Sequence, residues 1–448
     1  MKPPGLHLKA WQIHWDVSIT GDSQTKAPGT PSIKQKQTMK TISITLFTIL
    51  FTAFCIARLT SNHDSGERIL ADVGSEIEVV VCSATSARTS TLRNSELVSN
   101  IVNGLPDDVQ VLLLVNDLKS FETKSSNNRV KFIELPEETG ISIWPQDPFV
   151  VVNFQNHTRL VTPCVFDRED DHIMPLHLAE KLNLELVSSD LHFEGGNIVC
   201  GEDAVFIGFN TIAVNSDLFN ETSAVIKARF EKLFGRPVVV VGESTQEISH
   251  IDLIITPLPG NHIAIADSRL GAGIMQQALL NQPAAIRSFE QECENQFFGR
   301  ADITTISDLS GDSMHRPTVV HQTQPTIEAS IGAADQLDVI ADQMTQAGYK
   351  VVRIPALVPD LTPKFSESGK EKPNYPFITY NNVLLENQNG TPVVYLPQYG
   401  CKTLDNAGAS RWAELGFRVK TIPGFTTSAM YGGSLRCCTK VLSRKQSL

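Results

Sequence analysis

From about residue 76 onward one short theme returns five times, and this recurrence constrains the fold more than any other feature of the chain. Each copy starts as an amphipathic helical pattern, passes a turn often marked by glycine, and enters an apolar run rich in β-branched residues. The copies are "LVSNIVNGLPDDVQVLLLVND" from Leu97, "LAEKLNLELVSSD" from Leu178, "RFEKLFGRPVVVVG" from Arg229, "IADQMTQAGYKVVRIP" from Ile340 and "ASRWAELGFRVKTIP" from Ala409. The second is weaker and lacks the glycine. A further element follows each run and reads as two strands about a polar turn: "WPQDPFVVVNFQNHTRLVTP", "FEGGNIVCGEDAVFIGFN", "HIDLIITPLPGNHIAIAD", "YNNVLLENQNGTPVVYLPQ" and "YGGSLRCCTKVLS". Gly201-Glu202, Pro259-Gly260-Asn261 and Asn389-Gly390 carry the chemistry of hairpin turns. A helix–strand–hairpin unit cannot bury its apolar face alone, so repeated units must pack on one another. Five units closed about an axis make one α/β domain over residues 76–443. Residues 272–334 read as an insertion in the fourth unit, and the "LGAG" around Leu270 as a turn or a hinge.

The totals allow such a domain. A chain of 448 residues that is 41% apolar can build a full core. Its formal charge of −11 argues against a nucleic-acid partner, which needs a basic stripe. The eight cysteines (Cys55, Cys82, Cys164, Cys200, Cys293, Cys401, Cys437 and Cys438) are scattered, without zinc-ligand spacing. No metal site is expected, and for most of the cysteines the plain reading is a small buried apolar side chain.

The N-terminus has its own logic. Residues 1–38 are polar and aperiodic and read as a disordered or spurious extension. "MKTISITLFTILFTAFCIA", residues 39–57, has a lysine, 16 uncharged residues from Ile42 to Ala57 and small residues near its end. That is the layout of a signal peptide, which predicts an exported or secreted protein cleaved near Ala57. The alternative is an uncleaved membrane anchor, since a span needs only about 20 residues. Residues 58–75 read as a linker. Asn156 and Asn220 head glycosylation sequons.

Chemistry-bearing residues gather where the hairpins begin. Asp147 lies in "WPQDP", Glu194 in "FEGGN", His250 and Asp252 in "SHIDL", and Cys437 and Cys438 in "GGSLRCCT". Singly, each has an ordinary explanation: a turn-forming Asp before proline, a tight turn with its Glu in solvent, a core histidine, a packing cysteine. Together they open equivalent hairpins in four of the five units. Equivalent points of a closed ring meet near its axis, which predicts three carboxylates, a histidine and a thiol in one pocket. Read on strands, His250 and Asp252 point to one face, and the two cysteines to opposite faces.

This ordered set resembles the guanidino-group-modifying enzymes of the pentein superfamily, such as agmatine deiminase, arginine deiminase, peptidylarginine deiminase, dimethylargininase and the amidinotransferases. "WPQDPF" resembles the family's aromatic-x-x-Asp segment, "EGGN" its Glu-Gly-Gly turn, "HID" its His-x-Asp motif and "GGSLRCCT" its glycine-rich Cys-x-Ser/Thr ending. "YNNVLLE" and "VVYLPQYG" are similar to agmatine deiminase. The similarity spans most of residues 76–443 and implies a five-bladed, pseudo-symmetric α/β-propeller, the pentein fold. It also implies a deiminase that hydrolyses a guanidino group to a ureido group and ammonia, with no cofactor. By the same resemblance Cys437 is the nucleophile, His250 the acid and base, and Glu194 its orienting partner. Asp147 and Asp252 would grip the planar guanidinium cation of a small substrate or a peptidyl arginine. Two positions depart from the pattern. Gln146 stands where the family often has arginine. Arg436 stands where agmatine deiminases usually have histidine, and it would either bind a substrate carboxylate or pair locally. The alternatives are an amidinotransferase using the same cysteine intermediate, an exported peptidylarginine deiminase, and a non-catalytic pentein that acts as a binding module.

Overall fold

Five separate sheets carry the repeat among the described residues. The computed structural model describes residues 67–84, 94–116, 118, 129–136, 138–154, 157–166, 168, 170–243, 246–297, 321–360 and 375–445. The extension at 1–38, the signal-like segment at 39–57, Cys55 and the sequon residue Asn156 lie outside them.

Four of the sheets group a hairpin with the strand that follows it. Val150–Phe154 and His157–Thr162 form the first antiparallel pair, and Glu185–Ser188 joins in parallel. Ile198–Cys200 and Val205–Gly208 pair likewise, with Val238–Val241 parallel to the second. The third group is Ile255–Leu258, His262–Asp267 and Lys350–Leu357, with the short Ile378–Thr379 at its edge. The fourth is Leu384–Gln388, Thr391–Gln398 and Arg418–Pro423. Parallel neighbours cannot be joined by a tight turn, so a helix must carry the chain back. Ile173–Leu182, Ser223–Phe234, Ala334–Gln346 and Lys402–Glu414 do so. Their buried faces hold residues such as Leu178, Phe230, Leu337 and Trp412.

The fifth unit is split between the two ends of the chain. Only one strand, Lys440–Arg444, forms in the segment expected to be a hairpin. Its antiparallel partner is Ile77–Ala84, with Lys440 opposite Val81. Helix Ser95–Gly104 then leads to Gln110–Val115 and Val130–Glu134, both in parallel. The hairpin is missing because residues 434–439 wind into a turn instead, with Cys438 N–H on the Ser434 carbonyl at 2.9 Å.

Turn chemistry follows the sequence closely. Asn389 and Gly390 both take positive φ, 51° and 83°, as a tight hairpin requires. The second helix needs no glycine because Asn183 takes the left-handed position at φ 53°.

Three readings are corrected. Residues 67–75 are not linker: Glu67–Ile69 is an edge strand paired with Val150–Phe154. A strand this short leaves no period to read. The "LGAG" stretch is neither turn nor hinge but part of helix Ser268–Asn281. The insertion therefore begins earlier than residue 272, and it continues through helices Pro283–Phe297 and Thr323–Gly332. Among the described residues no helix is long and apolar enough to cross a membrane.

Candidate active site

The starts of the hairpins converge. Cys437 lies on the 434–439 turn, 3% exposed. Its Sγ is 3.6 and 3.9 Å from the two carboxylate oxygens of Asp252. Cys438 is equally buried but belongs to another part of the core, alongside Cys82 and Val80. Adjacent side chains on a helical turn diverge by about 100°, so the two thiols part company even though no strand separates them.

His250 and Asp252 are not on a strand either. His250 precedes a 3-10 turn, Ile251–Leu253, which carries Asp252. The strand that would have turned both to one face does not form, yet the two side chains still lie near enough for each charge to act on the other. Nε2 of His250 is 2.6 Å from Glu194 Oε2, and its Nδ1 is 3.9 Å from Asp147 Oδ1. The "EGGN" glycines are explained by this approach: a Cβ on Gly196 would strike His250 Nδ1 and Asp147 Oδ1. Gly196 N–H donates to Asp147 Oδ1 at 2.9 Å. Gly433 serves the same end across the fold, since a Cβ there would run into the Trp144 ring of "WPQDP".

Electrostatics divide the site. Burial disfavours a charged His250, but Asp147 and Glu194 outweigh it and lift the imidazole to about 9. It is therefore a cation at neutral pH. Burial also raises Asp147 and Glu194, yet His250, with Arg168 on Asp147, brings both below the usual carboxylate range. Asp252 goes the other way, raised by burial despite Arg436. Burial, with Asp252 and Asp147, pushes the Cys437 thiol well above its ordinary value. The thiol beside the Asp252 carboxylate is therefore protonated.

Every site residue expected from the sequence is gathered here, and four that its motifs do not mark join them. Asn382 opens the fourth hairpin, the unit that offers no candidate in the motif set. Its Nδ2 lies 3.2 Å from Cys437 Sγ, and its Oδ1 accepts the Cys437 backbone N–H at 3.2 Å. The "YNN" at that hairpin start is the signal that could have found it. Arg168 donates Nη2 to Asp147 Oδ2 at 2.7 Å. Asp72 accepts two hydrogen bonds from Arg436, at 3.1 and 3.0 Å. Lys440 places its buried ammonium 3.2 Å from the Gln146 carbonyl. Burial, helped by Arg436, drops its pKa to about 7.

Arg436 settles into the second of its two expected roles. Its N–H groups go to Asp72, to Asp252 at 2.9 Å and to the carbonyls of Ile198 and Gly195. These contacts use all five donors of a guanidinium. It positions Asp252 and has no donor left for a substrate. Among the described residues, no three His, Cys, Asp or Glu side chains come together as a metal-binding group.

Solved structures with this architecture are known. Agmatine deiminase of C. jejuni superimposes at TM-score 0.55 and 17% identity, covering 84% of this chain and 95% of that one. The fold is that of the agmatine deiminases. The deiminase of Enterococcus faecalis matches at TM-score 0.52 and 14% identity, over 84% of this chain and 95% of its own. A cysteine-to-serine variant of the C. jejuni enzyme with substrate bound matches at 0.56 and 15%, over 85% and 97%. No family model and no curated protein matches the sequence. The deiminase fold is thus shared at sequence identities low enough that side-chain roles must rest on this chain's own geometry.

Proposed function

We propose that this protein is a guanidine deiminase whose nucleophile is Cys437, built on a five-bladed propeller in which the two chain ends complete one blade. One observation carries the reading: a buried thiol lies against Asp252, while a protonated His250 is held by Glu194 and Asp147. That arrangement suits a planar cation. Asp147 and Asp252 bind its N–H edges and hold its central carbon before the sulfur. The incoming positive charge offsets the carboxylates that keep the thiol protonated, so the thiol gives its proton to solvent and the thiolate forms as substrate arrives.

The thiolate adds to the guanidinium carbon. His250 then gives a proton to a departing amino group, the C–N bond breaks, and ammonia leaves an S-alkylthiouronium. Neutral His250 next takes a proton from water. The hydroxide adds to the same carbon, the C–S bond breaks as the new hydroxyl's proton passes to the sulfur, and the ureido product leaves with the Cys437 thiol restored. The sum is guanidinium plus water to urea plus ammonium. Asn382, donating to Sγ, favours the thiolate in both halves. Because Arg436 has no donor to spare, the site favours a guanidino compound without an α-carboxylate at that point, of which agmatine is the simplest test.

The test is turnover. The full chain is incubated with agmatine, L-arginine, methylated arginine and an arginine-containing peptide, and ammonia and ureido product are recorded. Agmatine turnover that is abolished by Cys437→Ser and retained by Cys438→Ser is expected. Loss only in Cys438→Ser would move the nucleophile by one residue, and no turnover of any substrate would remove the enzyme reading.

A further inference from the structure

The carboxylate assigned to one edge of the substrate is already occupied by a guanidinium. Arg168, in the connection between strand His157–Thr162 and helix Ile173–Leu182, lays Nη2 on Asp147 Oδ2 at 2.7 Å. The other Asp147 oxygen accepts the Gly196 N–H. Nη1 of Arg168 reaches to 3.9 Å from Glu194 Oε1, on the far side of His250. A substrate cation bound to Asp147 and lying near Glu194 and His250 would need this same ground. Two guanidinium groups crowded on Asp147 Oδ2 would repel each other as like charges, so the two compete for this ground.

We propose that Arg168 is an internal ligand of the guanidinium subsite, seated on Asp147 in the substrate's place and displaced as substrate binds. The proposal rests on the deiminase reading above. Its support is the way Arg168 is held. Arg436, with side chain 7% exposed, satisfies every donor. Arg168 is 32% exposed, and its Nε is buried without a hydrogen bond. That Nε lies 3.5 Å from Asp171 Oδ2, and the guanidinium carbon stands 5.3 Å from the Phe166 ring centre. Both partners lie within three residues of Arg168, so the side chain can leave Asp147 and keep company with them. The Asp171 carboxylate is fixed for this by Ser142, whose N–H and hydroxyl each donate to it at 2.6 Å. Arg168 thus sets affinity: only the fraction of molecules with Asp147 uncovered can accept substrate, and apparent affinity falls by that fraction.

Calorimetric titration of the full-length Cys437→Ser chain tests this, because that chain binds without turnover. Agmatine and guanidinium chloride are the probes, and Arg168→Ala and Arg168→Gln are added singly to the same background. Both additions are expected to tighten agmatine by about tenfold or more and to tighten guanidinium in the same direction. Glutamine keeps length and hydrogen-bonding capacity but not charge, so agreement between the two variants ties the gain to the removed cation. Unchanged or weaker binding in folded variants overturns the proposal and leaves the deiminase reading standing. No binding by any of the chains overturns both.

Discussion

Asp252 and Asp147 flank the same histidine, and each carries an arginine, yet the two pairs are built for opposite ends. Around Asp252 the ion pair itself is closed. The carboxylate and Arg436 are buried, and Asp72 completes the arginine's bonding from a segment more than 360 residues away in sequence. Around Asp147 the carboxylate is equally buried, but its arginine is a third exposed and incompletely bonded. Glu194, the next carboxylate out, is 34% exposed. One side is a buried wall behind Cys437, and the other opens toward solvent. An ion pair serves architecture when every donor is satisfied in a dry place, and exchange when it is half wet and half satisfied.

The largest effect should come from breaking the wall. Arg436→Met leaves Asp252 and Asp72 without their cation, and an uncompensated buried charge costs about 3–5 kcal/mol. Urea denaturation is expected to show that loss. A variant as stable as the parent would mean that water reaches Asp252, and the contrast between the two sides would vanish.

The next effect sits on the histidine between them. Folding raises His250 from the ordinary 6.5 to about 9. Its contribution is therefore fully present below pH 6.5 and is lost as pH rises through 9, up to about 3 kcal/mol in all. Denaturant midpoints from pH 6 to 9.5 should fall more steeply in the parent than in His250→Gln. Asp147 is the stronger of the two flanking influences on this imidazole. Asp147→Asn should flatten the difference more than Asp252→Asn does, and the reverse order would assign the histidine to the closed side.

The smallest effect is expected at the open side. Arg168→Ala should cost clearly less than Arg436→Met in the same urea experiment, because the protonated His250 still faces Asp147. A loss as large as that of Arg436→Met would make Arg168 part of the wall.

Much of this site is legible in the amino-acid sequence. Asp147, Glu194, His250, Asp252 and Cys437 stand out because they open equivalent units, and those units are visible because helical and strand periods, glycines and Asn-Gly turns are local signals. At the helical turn of Cys437 the adjacent cysteines still diverge, as they would on a strand, whereas at the 3-10 turn of His250 and Asp252 it is the tertiary fold that brings the pair together. Asn382 is within reach for the same reason, since it opens the remaining unit. Arg168, Asp72 and Lys440 are not. Nothing near Arg168 in sequence says that its partner is Asp147, 21 positions away, and nothing near Asp72 says that it completes Arg436. The pairing of Lys440–Arg444 with Ile77–Ala84 is of the same kind, a register chosen across the whole length of the chain. Sequence alone determined the repeat, most of its elements and the candidate groups, because these depend on contacts within a few residues. Only the tertiary structure decided which charges share a pocket and which arginine has every donor satisfied and which does not, because burial and ion pairing between distant segments leave no period to read.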